Sequence, residues 1–393
     1  MSLRQRHIFY FLMNKEINEV YLSTALLSLS QSLIAIFVPI YLLTLSFSIP
    51  QIIFFYFLWT LYYLILTPFL VKLIPRFGVK HTILLSMPFL ILFYLFLGYI
   101  QTNPYLLYIL PLIITIHTSL FNSSFHINFV DHADRDKMGS EISWLYIFLT
   151  LINLISPFVG GVLIYTFGFN FTYIIGAGLV LISAMPLFFT KDTKNYKNFT
   201  NKELFNFIRS KETKDLKLSY IGYGIESEVQ RIIWPLFIFL ILGSIRQFGF
   251  ITSLTMIVPV VSYYVIGKLS DKHKKTKLIK IGSVLCSIGW ILRSFVNSAM
   301  SFLIIDTYKN SSYSLLFTPW STKTYNFAKG NQAFMFIVAR EIIFNFSRII
   351  FLPFLIVLFY YVPINIAFLI SFIIAAVFSL LYSKINKYKN ANI

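Results

Sequence analysis

Charge is what this sequence has least of. Only 12% of its 393 residues are Asp, Glu, Lys or Arg, about half the roughly 25% of a soluble domain. Cysteine is nearly absent too. Cys286 stands alone, which rules out an intramolecular disulfide and a multi-cysteine metal site, and leaves little scope for redox chemistry. No glycine-rich phosphate loop of the form G-x-x-x-x-G-K-(S/T) occurs, so a nucleotide site of that kind is excluded. Clustered ligands for a metal are missing, and no metal or other cofactor is expected. Strand-like alternation is also missing: runs such as Thr82 to Ile100 and Ile366 to Leu381 are apolar throughout, unlike the alternating segments of about 10 residues that build a membrane barrel.

What fills the chain is apolar, 57% of it. Runs long enough to cross a bilayer recur along almost the whole length, since about 20 residues span the hydrocarbon. They must be helical, because lipid offers no partner to a bare backbone N–H or C=O. The predicted helices are 18–44, 50–74, 79–101, 104–130, 141–166, 170–190, 218–242, 247–268, 277–298, 300–326, 331–360 and 363–384. The expectation is an all-α membrane protein of about twelve transmembrane helices in two six-helix bundles. Residues 1–190 form the first bundle, 191–217 a cytoplasmic linker, and 218–393 the second bundle. The linker is the one long polar stretch, with a short amphipathic helix expected on the membrane surface at Asn201 to Lys211. The polar, basic N-terminus precedes an apolar run too long for a signal-peptide core, so that run is read as the first span.

The formal charge of +18 raises the question of nucleic acid, and the placement of the basic residues answers it. Of the 33 Lys and Arg residues, 27 fall in the segments on the side of the two termini, and only Arg246 falls in the opposite turns. That asymmetry is the positive-inside pattern. It puts both termini in the cytoplasm of a multi-pass cell-membrane protein, suits a bacterial inner membrane, and excludes a nucleic-acid partner in favour of the lipid bilayer.

Two six-helix halves around a cytoplasmic linker are the plan of transporters built from repeats. In the turn after the second helix of each half stands a further sign. The second half reads Gly267-Lys268-Leu269-Ser270-Asp271-Lys272-His273-Lys274-Lys275; the first keeps Arg76, Gly78 and Lys80, with Val71 and Pro75 at the glycine and aspartate positions. The pattern resembles the G-x-x-x-D-(R/K)-x-G-(R/K)-(R/K) turn of the major facilitator superfamily. The resemblance implies bundles related by a pseudo-two-fold axis, rocking around a central cavity in alternating access. It makes Gly267, Asp271, Lys272, Lys275, Arg76 and Gly78 a conformational latch, gives the first and fourth helices of each half to the cavity, and implies a monomer. The charged turn Asp131 to Lys137 resembles the turn after the fourth helix in that family.

Ionisable groups inside spans are costly and mark function by default. Almost all lie in the second half: Glu226, Glu228 and Arg231 on helix 7, Arg293 on helix 9, Asp306 and Lys309 on helix 10, and Arg340, Glu341 and Arg348 on helix 11. Glu228 with Arg231, and Asp306 with Lys309, are three apart and share a face. Helices 7 and 10 are expected to bring Glu226, Glu228, Arg231, Asp306 and Lys309 to one place, where a carboxylate would carry a proton and a spare cation would hold an anionic group. Structural ion pairs are the alternative reading of the same residues. The first half offers neutral polarity: Ser28, Gln31 and Ser32 on helix 1, and His117, Asn122 and His126 on helix 4. The two histidines, nine apart, face opposite ways. Gln31, Asn122 and His126 join the candidate site, while the aromatic run of helix 2 is assigned to packing or lipid. The leading expectation is a proton-coupled secondary transporter of a small organic anion or amphiphilic compound. A facilitator or a receptor on the same scaffold is the alternative. A membrane-embedded lipid-linked transferase fits less well, because the outer turns leave no room for a catalytic loop.

Overall fold

The computed structural model describes residues 15–132, 138–188, 198–272, 275–328 and 332–387. Among them, twelve helical spans cross back and forth. The first half holds α1 (Lys15–Ile34, continued through a 3₁₀ turn at Ala35–Phe37 into Val38–Thr44), α2 (Ile49–Leu70), α3 (Val79–Leu97) and α4 (Leu106–His132). Its last two spans, α5 and α6, share the 47-residue run Met138–Ala184. They part at Gly168, whose φ of +83° is one that glycine adopts without a steric penalty. The second half holds α7 (Lys214–Glu228, a π turn at Val229–Ile233, then Trp234–Leu242), α8 (Ile245–Leu254 and Ile257–Lys272), α9 (Lys275–Arg293), α10 (Ala299–Phe327), α11 (Ala333–Tyr361) and α12 (Ile364–Leu380). Short caps begin the spans at the face away from the termini. Ser48 and Ser298 each close a capping box with the residue three ahead, and Ser244 accepts from the Gln247 amide, which satisfies donors the first turn leaves free.

Among the described residues, eight helical stretches are long and apolar enough by themselves to cross a bilayer, and one of these is the double span Met138–Phe188. The spans that fall short are α7, α9 and α10, which carry Glu226, Glu228, Arg231, Arg293, Asp306 and Lys309. Polarity is thus concentrated inside the second half, where neighbouring helices cover it.

The halves meet along α5 and α8. A Cβ at Gly161 would lie 3.1 Å from the Ile245 carbonyl and 3.3 Å from Gly249 Cα, so two glycines let the backbones touch. Pro157 in α5 lacks an N–H, and the next amide, that of Phe158, donates instead to Ser253 Oγ of α8 at 2.9 Å. Nearer the face of the termini, Tyr146 of α5 stacks on Tyr263 of α8, ring centroids 5.7 Å apart. At the opposite face Phe37 of α1 packs edge-on against Phe248 of α8 at 5.6 Å. The halves therefore touch on both sides of the centre.

The linker helix is Asn201–Arg209, started by a Thr200–Glu203 capping box. Its apolar side meets α11: Phe207 packs on Phe336, and Phe199 just before the helix on Phe334, with Leu204 buried. Of the helix expected on the membrane surface, the side facing α11 is covered by protein, while Phe205 on its other side stays exposed.

Candidate functional site

Two polar networks grow from α7, and the spacing of its residues separates them. Glu226 and Glu228 are two apart, about 200° around the helix, and so face opposite ways. The π turn that follows widens the helix by one residue, a feature frequent at functional positions, and it carries Gln230 and Arg231.

The first network is closed within the second half. Glu226 lies 3.0 Å from Lys309 Nζ of α10, and accepts from Trp290 Nε1 at 2.8 Å and Tyr382 Oη at 3.0 Å. Gln230 Oε1 accepts from Arg293 at 2.6 Å and from Lys309 at 3.1 Å. Arg293 pairs with Asp306, whose other oxygen takes a hydrogen bond from Asn310 at 2.9 Å. The Arg293 guanidinium also sits 4.0 Å from the Trp234 ring and 4.4 Å from that of Trp290, a desolvated cation–π arrangement. Two acids face two cations here, and all four are buried.

The second network faces the other half. Arg231 donates to Glu228 at 2.7 Å and lies 4.8 Å from the Tyr56 ring and 4.7 Å from the Trp59 ring of α2. Arg348 Nε approaches the other Glu228 oxygen at 3.0 Å, off the direction of a hydrogen bond, while its terminal nitrogen donates to Ser227 at 3.0 Å. Arg340 donates to Glu341 at 2.7 Å. Between these groups and the first half is a cavity of about 50 Å³, lined by Trp59, Tyr63, Asn122, Arg231, Glu341 and Arg348 among others. Two cations, Arg231 and Arg348, line it against one acid, Glu341, so the described charges lining this cavity sum to one positive; Glu228 and Arg340 pair with Arg231 and Glu341 behind them. A second, more apolar cavity of about 220 Å³ lies between α1, α5 and α8, bordered by Ser32, Ile36, Asn153 and Met256.

The candidate residues from the sequence are therefore divided. Glu228, Arg231, Asn122 and His126 lie where the halves meet; Glu226, Asp306 and Lys309 belong to the closed network. The expected gathering of all five charged groups at one place is corrected by the geometry of helix 7. Asp306 and Lys309 do share a face, but each bonds elsewhere, Asp306 to Arg293 and Lys309 to Glu226. Gln31 faces inward in the first half: its amide meets His117 Nε2 at 3.0 Å, and His117 Nδ1 meets the Ser86 carbonyl at 3.1 Å. His126 reaches the other half, with Nδ1 2.7 Å from Tyr325 Oη of α10 and Nε2 4.0 Å from Glu341. The opposed directions of the two histidines match their spacing.

At the expected latch, Gly267 of α8 packs on Ser143 of α5, where a Cβ would collide. Lys275 is half-buried, and the side chains of Asp271 and Lys272 lie outside the described ones. In the first copy Arg76 is exposed with its guanidinium over Phe77, and Gly78 turns the chain into α3 with φ +87°. Residues 133–137 of the charged turn after α4 lie outside the described residues.

Sequence reasoning passed over Tyr56, Trp59 and Tyr63. Their spacing of three and seven is a helical face, the signal that sets them apart from the aromatic residues around them. It also left Glu341 and Arg348 out of the candidate site, although both border the cavity.

Comparison with known proteins follows this geometry. Residues 20–219 match the family model described as Major Facilitator Superfamily. A curated relative, the multi-drug resistance efflux pump PmrA homolog of Lactococcus lactis subsp. lactis (strain IL1403), is 27% identical over 183 residues, 44% of this chain and 45% of the relative. The match thus spans less than half the relative's length. The E. coli fucose:proton symporter FucP superposes over 95% of this chain and 98% of its own, with a TM-score of 0.66 at 14% identity. A second FucP structure, in the outward conformation, gives a TM-score of 0.68 at 13% identity over the same shares. The family match covers half of the chain and the shared fold nearly all of it, so this protein belongs to the Major Facilitator Superfamily and has its multi-pass membrane fold.

Proposed function

We propose that the chain is a proton-coupled secondary transporter whose substrate is an amphiphilic molecule with one anionic group. The observation that carries this reading is the setting of Arg231. Its side chain keeps 32% of its surface exposed, its Nε has no partner, and it is held between Glu228 and two aromatic faces of the opposite half. A guanidinium so placed offers charge and a planar hydrogen-bonding edge to an anion, while Tyr56 and Trp59 offer an apolar surface beside it. The one surplus positive charge at the cavity suits a single negative charge. Kinship with a protein named as a multi-drug efflux pump supports an amphiphilic substrate, and the likeness to a protein named as a proton symporter is compatible with proton coupling.

The rocking units are residues 1–190 and 218–393, joined by 191–217, with both termini in the cytoplasm and the monomer as the working unit. Gly267 and its basic neighbours form the latch of one state. The test is a ligand-stability screen of the purified protein at pH 5.5 and 7.5, using aromatic monocarboxylates and monosulfonates beside their neutral and cationic analogues. Stabilisation by the anions alone, lost in Arg231→Ala and kept in Lys280→Ala, is expected. Equal stabilisation by cationic analogues, or anion binding that survives Arg231→Ala, would overturn the reading.

A further inference from the structure

We infer that His126 is the residue that takes up the coupling proton, and that its protonation parts the two halves on the side of the chain termini. The inference rests on the proton-coupled reading above. Each carboxylate in the two networks is already matched by a cation: Glu226 by Lys309 at 3.0 Å, Glu228 by Arg231 at 2.7 Å, Asp306 by Arg293, and Glu341 by Arg340 at 2.7 Å. A proton on any of them strands a cation inside the protein. His117 is enclosed in the first half, with one ring nitrogen on Ser86 and the other on Gln31, so its charge would not bear on the contact between halves.

His126 is differently placed. It projects from α4 into the joint between the halves, close to the ends of α10 and α11 that lie on the terminal side. Its Nε2 faces Glu341 Oε1 at 4.0 Å. A bare lone pair there would oppose the carboxylate, so the neutral ring carries its hydrogen on Nε2, and Nδ1 accepts from the Tyr325 hydroxyl at 2.7 Å. A second proton must land on Nδ1. It converts that acceptor into a donor, so the Tyr325 hydroxyl must turn and accept where it had donated, and the neutral bond joining α4 to α10 becomes one to a buried charge. The new imidazolium also stands near Arg340, whose guanidinium is 5.5 Å from the Tyr325 ring. Among the described residues, Glu341 is the acid facing the ring, and Arg340 holds it. On the α2 side, Tyr63 borders the same cavity as Glu341. Relief comes from separation: the halves move apart, and water solvates the imidazolium.

The test needs no substrate. Spin labels are attached at Lys72→Cys and Lys277→Cys, both exposed positions on the terminal side of opposite halves, in a Cys286→Ser background in lipid nanodiscs. The distance distribution is then followed from pH 8.5 to 5. In the otherwise native protein the longer-distance population should rise about fivefold or more as pH falls. His126→Gln should hold the short distance throughout, and Tyr325→Phe should move the midpoint. A distance that ignores pH in the native background overturns the proton-coupled reading itself. A pH response that persists with the same midpoint in both variants leaves that reading standing and overturns the assignment to His126. Shortening at low pH overturns the direction.

Discussion

Glu226 and Lys309 lie 3.0 Å apart with 3% and 2% of their side-chain surfaces exposed, and at such a site the two partners cannot be judged singly. Removing one charge leaves the other stranded, at about 3–5 kcal/mol, whereas removing both restores neutrality. Glu226→Gln and Lys309→Met should therefore each lower the thermal midpoint of the detergent-purified protein sharply, and the double variant should recover most of the loss. Additive losses would mean that the pair is not coupled. Arg231 tests a different property. Arg231→Lys keeps the charge but gives up the planar stacking on Tyr56 and Trp59, worth about 0.5–2 kcal/mol at a part-exposed site. Affinity for an anionic ligand found in the stability screen should drop about tenfold or more in titration calorimetry. Unchanged affinity would reduce Arg231 to a point charge. Which residues carry charge inside the spans is legible in the sequence, and so is the face shared by Glu228 and Arg231. The partners are not. Arg293 and Asp306 are thirteen residues apart on different helices, and only the packing of α9 on α10 makes them a pair.

Helix starts, lengths and order follow from apolar runs and breaks, and these are local properties, which is why the twelve expected spans match the observed ones to within a few residues. The π turn of α7 had no such local mark. Nor did the docking of helix Asn201–Arg209 on α11, since an apolar face reads alike whether lipid or protein covers it. The contact of α5 with α8 can be probed at its closest point. A Cβ on Gly249 would run into the Pro157 carbonyl, with Gly161 Cα at 3.2 Å, whereas one on Gly178 of α6 meets nothing within 4 Å. Overpacking of this kind costs about 1–3 kcal/mol, while glycine to alanine in an open helical site gains about 0.5–1 kcal/mol. Gly249→Ala should thus lower the thermal midpoint and Gly178→Ala hold or raise it. A midpoint held or raised in Gly249→Ala as well would show that α5 and α8 part readily to admit a methyl group.

At the scale of the whole molecule, charge is sorted twice. Across the bilayer, the basic residues gather on the terminal side. Within it, the described buried charges of the two networks belong to the second half, and their surplus cation stands at the cavity. On the proposed topology the first sorting sets orientation, because each Lys or Arg near the end of a span resists transfer across the membrane. With both ends of the chain on one side, the turns at Ser46 and Ser298 must lie together on the other. The native protein helps the measurement, since its one cysteine, Cys286, is buried. In a Cys286→Ser background, a membrane-impermeant maleimide added to intact cells should label Ser46→Cys and Ser298→Cys. It should reach Lys72→Cys and Lys277→Cys only after the cells are opened. Labelling in the reverse order would put the termini outside and detach the basic surplus from topology. Labelling of Ser46→Cys and Ser298→Cys from opposite sides would mean that the number of spans between them is odd, contrary to the eight that run from α2 to α9.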